Sequence, residues 1–173
     1  NYTRIKENIE VYQAIMIIFD KIKTLNESIS DYKILNKFIF DILDIINNNI
    51  DSPSNIKNII ISLISIFEIK LLYLLGIQPN FKSCGKCMNT SNLIAFDIKL
   101  GSMLCSNCAI SINDYDLLFK EIYYKKLKDF TKEELINKYS NIALWNLIDK
   151  YYEYHLDYHS SAKDVFNQIF LYK

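Results

Sequence analysis

All four cysteines of the chain fall between Ser83 and Cys108, and no other feature restricts the fold as much. They form two pairs, Cys84-Gly85-Lys86-Cys87 and Cys105-Ser106-Asn107-Cys108, in the spacing C-x2-C-x17-C-x2-C. Alone, the first pair matches a redox dithiol, which needs a low-pKa thiolate at a helix N-terminus after a strand. Here a glycine and a proline-bearing loop precede it (Gly76-Ile-Gln-Pro79), and that reading leaves the second pair without a role. Taken together, the pairs have the spacing of a four-cysteine zinc site: each short loop places two sulfurs on one edge of a tetrahedron, and the spacer returns the second pair to close it. Between them Ile94, Phe96 and Ile98 alternate as in a short strand, and Gly101-Ser102 offers a hairpin turn. This is a zinc-ribbon plan with a structural Zn2+ on Cys84, Cys87, Cys105 and Cys108, because four protein thiolates leave no coordination position open for catalysis.

The remaining sequence is helical in pattern. Three glycines and two prolines among 173 residues leave few breakers. Ile5, Ile9, Tyr12, Ile15, Met16, Phe19 and Ile22 recur at helical spacing, which reads as a core stripe. Leu35, Phe38, Ile39, Ile42, Ile45 and Ile46 do the same, after a cap at Ser30 or Asp31 and before Asn47-Asn48-Asn49. Asp51-Ser52-Pro53 signals a third helix start, and Gly76 with Pro79 its end. The apolar run Asn58 to Ile77 is long enough to span a bilayer, but Glu68 and Lys70 lie inside it, so it reads as a buried helix. Beyond Cys108, Asn113 or Asp114 caps a helix carrying Leu117, Leu118, Ile122 and Leu127. Thr131-Lys-Glu-Glu134 has capping-box spacing; Ile142, Trp145, Ile148, Tyr152 and His155 mark a further face; and Ser161 to Asp164 opens a last helix with Val165, Phe166, Ile169 and Phe170. The fold expected is mainly α: a helical bundle with a small inserted four-cysteine zinc ribbon. Its parts are an N-terminal helical part over 1–78, the ribbon over 79–112, and a C-terminal helical part over 113–173 packing on the first.

Charge narrows the function. Lys plus Arg equals Asp plus Glu at 20 each, and both halves are balanced on either side of Cys84. A protein that holds nucleic acid mainly by phosphate neutralisation carries more positive charge than this. The best local basic-aromatic patch is Lys125, Lys126 and Lys128 beside Tyr123 and Tyr124, a weak candidate for single-stranded DNA; with Glu121 and Asp129 alongside it also reads as a solvated helix face. His155 and His159 would share a helix face and bind a metal only with a third ligand such as Asp157 or Asp164, so they read as an interfacial or capping pair. Glu133-Glu134 reads as helix-start electrostatics. There is no phosphate-cradling glycine loop or serine elbow, and an enzyme is not expected. The chain reads as soluble and intracellular, with no membrane contact expected.

The order Phe67-Glu-Ile-Lys-Leu-Leu-Tyr-Leu-Leu-Gly-Ile-Gln-Pro79, then Cys84-x-x-Cys87, then Gly101-Ser-Met-Leu-Cys105-x-x-Cys108 resembles the RecO family of bacterial recombination-repair proteins. Tyr154-His155-Leu156 followed by Ser161 is similar to a late stretch of that family. Members begin with an OB-fold barrel, whereas this chain opens on a helix, so the resemblance implies the C-terminal helical and zinc-binding portion without the N-terminal OB-fold. It also implies recombinational repair: loading recombinase onto single strands and annealing complementary strands, with RecR and the single-strand-binding protein as partners. That protein's acidic tail docks on the helical region in some relatives. The basic residues that often follow the family's late stretch are thin here, where Asp157-Tyr-His-Ser-Ser-Ala precedes a lone Lys163. The cysteine spacing is also similar to Arf GTPase-activating proteins, but that family needs an arginine after its last cysteine and none follows Arg4. The alternative in a different class is a helical protein-interaction module, stabilised by a zinc ribbon and unrelated to repair.

Overall fold

The structure is a computed structural model and describes residues 8–49 and 54–172. Among these residues it has seven α-helices and one two-stranded sheet: α1 (Ile9–Thr24), α2 (Tyr32–Asn49), α3 (Ile56–Leu74), β1 (Leu93–Asp97), β2 (Ser102–Cys105), α4 (Asp114–Tyr124), α5 (Lys132–Asn137), α6 (Ile142–Leu156) and α7 (Ser161–Phe170).

Helix α3 is the axis of the molecule. It is apolar on every side and 15 of its 19 residues are buried, as a helix without a polar face must be. The others surround it: α1, α2, α4, α5 and α6 all contact α3, and α1 also packs along α7. No helix among the described residues is long and apolar enough to cross a membrane.

The helix ends follow local chemistry. The Asp31 carboxylate accepts from the Ile34 N–H at 2.9 Å and opens α2, which ends at Asn49. Asn8, Asn141 and Ser160 cap α1, α6 and α7 in the same way. The last cap lies one residue before the start predicted at Ser161. Gly76 takes φ +71° after α3, and the Ile77 N–H returns to the Leu72 carbonyl, so the helix stops where a left-handed residue is cheapest. The predicted start at Asp51-Ser52-Pro53 lies outside the described residues.

Two expectations about faces are corrected. On α1 the stripe Ile9, Tyr12, Met16 and Phe19 is 40–57 % exposed, and the buried residues are Val11, Ala14, Ile17, Ile18 and Lys21. The helix is apolar on both faces, so periodicity alone could not say which one packs on α3. In α4 and α7, Leu117 and Val165 are exposed, and Phe119, Ile122 and Phe166 carry the contacts.

The centre of the core is charged. Glu68, in the middle of α3, is fully buried between Lys21 Nζ at 2.7 Å and Lys163 Nζ at 2.8 Å. Lys163 also reaches Asp149 at 2.6 Å and the Trp145 carbonyl at 3.3 Å, and its ammonium lies over the Trp145 ring. Lys21 sits 3.4 Å from the centroid of the Tyr152 ring, and Tyr152 donates to the Glu68 carbonyl. Burial alone would raise the Glu68 carboxyl, but the Lys163 and Lys21 ammoniums outweigh it and hold it below the usual range. Burial lowers Lys21 in turn, opposed by Glu68. Two cations and two anions thus join α1, α3, α6 and α7.

Removing one member leaves an uncompensated buried charge, which costs roughly 3–5 kcal/mol. Glu68→Ala is therefore expected to lower the thermal midpoint by about 10 °C for a chain of this size. A calorimetric scan checks this; a shift within about 2 °C would contradict the account.

Candidate metal centre and nucleic-acid interface

The four cysteines converge. Their Sγ atoms all lie within 4.8 Å of one another, and Cys87 Sγ is 3.5 Å from Cys105 Sγ. All four are free thiols. Sulfurs about 2.3 Å from a tetrahedral zinc stand about 3.8 Å apart, so this cluster has the size of a metal cage. Among the described residues it is the one group of three or more His, Cys, Asp or Glu that could hold an ion.

Local structure builds each half. In the first knuckle the Cys84 N–H donates to the Asn89 carbonyl at 2.7 Å, and the Met88 N–H returns to the Cys84 carbonyl at 2.9 Å. Met88 takes φ +62° to close this turn. Gly85 is needed on steric grounds, since a Cβ there would lie 1.9 Å from Ser102 Oγ. In the second knuckle the N–H groups of Cys108 and Ala109 both donate to the Cys105 carbonyl at 2.9 Å. The protons are unevenly shared. A backbone hydrogen bond at Cys105 is the main cause that lowers the Cys84 thiol to about 6. Hydrogen bonding with Cys87, then burial, pushes Cys108 up to about 12. A soft divalent cation replaces such shared protons directly, so the donor set fits a thiophilic metal.

Strands β1 and β2 pair antiparallel, with Phe96 opposite Met103 and a bulge between Leu93 and Ala95. The simple alternation expected for the strand is broken there, and both faces are covered. Ala95 packs with Leu104, Cys84 and Cys105, while Phe96 packs on the helical core. The free edge of β2 is met by Asn80, whose N–H donates to the Gly101 carbonyl at 2.8 Å and whose carbonyl accepts from Met103.

Aromatic rings dock this ribbon onto the helices. Phe81 contacts Phe96, Phe119, Tyr123 and Tyr124, with the Phe119 ring edge-on at 5.6 Å. Tyr151 donates to the Ile77 carbonyl at 2.8 Å, and His155 Nε2 is 2.7 Å from the Ile98 carbonyl. Gly101, at φ +57°, passes against both: a Cβ would meet Tyr151 Oη at 3.1 Å. His155 is thus interfacial. Helix α6 ends before His159, which pairs with Asp164 at 2.6 Å, so the two histidines do not share a site.

The lysines of the basic patch separate. Lys125 turns inward to Glu134 at 2.5 Å and stacks near Phe130 and Tyr139. Lys126 and Lys128 remain exposed, as does Tyr124. Lys70, missed as a structural residue by sequence reasoning, donates to the carbonyls of Tyr123 and Lys125 at the end of α4; burial lowers it to about 8. A cation inside an apolar run was the signal, but its partners lie more than 50 residues away.

This arrangement is a helical body carrying a docked, four-thiol ribbon. The sequence profile described as "Recombination protein O C terminal" matches residues 40–162, and the chain belongs to that family. It is similar to the "DNA repair protein RecO" of Thermoanaerobacter sp. (strain X514), 32% identical over 114 residues, which cover 61% of this chain and 45% of that protein. It is also similar to the protein of the same name from Alkaliphilus metalliredigens (strain QYMF), 32% identical over 98 residues, or 53% of this chain and 40% of that protein. The chain thus spans less than half the length of these relatives. No solved structure gives a significant match.

The Lys125 contact gives a pH prediction. The Lys125 ammonium and, after it, the Thr131 N–H lower the Glu134 carboxyl from 4.5 to about 2. Its stabilising contribution is complete above pH 4.5 and is lost as pH falls from there toward 2. Denaturant melts across this range should show wild type and Glu134→Gln converging as pH drops; a constant gap would contradict the assignment.

Proposed function

We propose that the protein is a recombinational DNA repair mediator, acting by binding and not by catalysis. It helps load recombinase onto single-stranded DNA and anneal complementary strands, with RecR and the single-strand-binding protein as partners, in the bacterial cytoplasm. The observation that carries this reading is that the family match, residues 40–162, contains α3, the ribbon and α6 as one packed unit. The ribbon over 79–112 is an insert between two helical parts, 1–78 and 113–173, that complete one core.

In this reading Cys84, Cys87, Cys105 and Cys108 hold a structural Zn2+, which cross-links the two knuckles. The ribbon has a small core of its own (Cys84, Ala95, Leu104 and Cys105), so metal binding supplies much of its order. Lys126 and Lys128, with Tyr124, are the residues left to touch single-stranded DNA; Lys125 supports them from inside.

A groove of about 440 Å³ supports the partner reading. Its walls are Ile34, Phe38, Tyr73, Leu74 and Leu127, with Lys126 at the rim and the half-buried Lys70 ammonium, which has one proton left to donate. Apolar walls with two ammoniums suit the acidic tail of the single-strand-binding protein.

Two measurements test this. Elemental analysis should find one zinc per chain, with thiols that react only after chelation and denaturation; four freely reactive native thiols would overturn the metal assignment. Fluorescence anisotropy with a labelled acidic-tail peptide should show saturable binding that Tyr73→Ala with Lys126→Ala weakens about tenfold. A chain that binds neither that tail nor RecR would overturn the mediator reading.

A further inference from the structure

A cleft of about 380 Å³ lies where the ribbon joins the helices, between the segment 78–82 and the last two residues of α4, Tyr123 and Tyr124. It shares its Tyr123 wall with the apolar groove already described. Its rim is polar and firmly held. The Asn80 main chain pairs with Gly101 and Met103 at the edge of β2. The Asn80 side-chain oxygen accepts from the Lys82 N–H at 3.0 Å, and its amide donates to Ser83 Oγ at 2.9 Å, which leaves one amide proton free. The Gln78 carboxamide beside it is exposed and has no hydrogen-bond partner among the described residues. The rim therefore offers donors and an acceptor together.

The opposite wall is aromatic. Tyr124 is 53 % exposed, yet its ring is fixed by edge-on contacts to Tyr123 at 5.2 Å and to Phe81 at 6.0 Å. Cations stand on both sides of it in sequence. Glu121 is taken by Lys138 and Tyr139, and Glu134 by Lys125. Lys82, Lys126 and Lys128 pair with no carboxylate among the described residues, so three ammoniums remain available to phosphate.

We propose that this cleft seats one unstacked base of a single strand. The base lies on the Tyr124 ring, the Gln78 and Asn80 amides meet its edge, and Lys82 meets the adjoining phosphate. This rests on the DNA contact proposed above for Tyr124, Lys126 and Lys128, and adds to it a seat for a base and a cation from the ribbon side. A base is selected by three features acting together. Every base has a π-face next to an anionic backbone, which suits an open ring beside unpaired lysines. Base edges carry donors and acceptors side by side, as the free amides do. An acidic peptide asks for donors only and would leave the Gln78 oxygen unmatched. A duplex base has both faces covered and its pairing edge in use, so the cleft takes single strands.

Photo-cross-linking of the 173-residue chain to a short oligothymidylate carrying one 5-iodouracil tests the proposal, because the irradiated base joins to an aromatic ring stacked on it. Peptide mapping should place the link on Tyr124, and unlabelled duplex should compete poorly. In fluorescence anisotropy Tyr124→Ala should weaken single-strand binding about tenfold with helix content unchanged, while Tyr124→Phe keeps the affinity. Lys82→Ala should reduce the slope of log affinity against log salt by about 0.7, the share of one phosphate contact on a single strand. A link that maps away from the cleft, or a Tyr124→Ala chain that binds as tightly as wild type, would overturn the base seat and leave the lysine contact standing. A wild type that holds no single strand would overturn both.

Discussion

A carboxylate in the middle of a fully buried helix sets the terms for the rest of the molecule. Moving Glu68 out of water is costly enough that the fold must bring cations to it, and those cations must come from other elements. Lys21 brings α1 and Lys163 brings α7, while Asp149 on α6 balances the surplus positive charge. An apolar surface alone would let α1 or α7 slide by a turn at small cost. An ammonium that must meet one carboxylate oxygen does not permit that. The tyrosine and tryptophan rings against the two ammoniums complete the cage, giving each cation a π-face where water is absent.

The ribbon is attached by different physics. It has two strands and a handful of buried residues, too few to order it alone, and it depends on two joints. One is the ring cluster of Phe81, Phe96, Phe119 and Tyr151, reinforced by the Tyr151 and His155 contacts to ribbon carbonyls. The other is the four-thiol cage, where the proposed zinc would fix the knuckles. The ring cluster decides where the ribbon sits, and the cage decides whether it has a shape.

Much of this was legible from residues close in sequence. The Thr131 to Glu134 capping box, the Asp31 cap and the Gly76 stop each depend on atoms within a few positions, and each stands where expected. Glu68 was legible as a reason against a membrane span. Its partners were not, since Lys21 and Lys163 lie 47 and 95 residues away and no periodicity links them. The packed face of α1 was misread because both of its faces are apolar. Lys125 gave no sign that it would turn inward, because a helix end with alternating charge looks the same whether its lysines are solvated or paired. The family resemblance rests on the linear order of motifs, which is why it could be read before any contact was known.

The Glu68 cluster holds the helical body without help from the cysteine cage, whereas the ribbon's order would depend on the zinc proposed for that cage. Hydrogen exchange on the zinc-loaded and chelated protein tests this most directly. Chelation should deprotect amides between Cys84 and Cys108 while the amides of α3 around Glu68 keep their protection. Loss of protection in α3 together with the ribbon, or a ribbon that stays protected without metal, would contradict it.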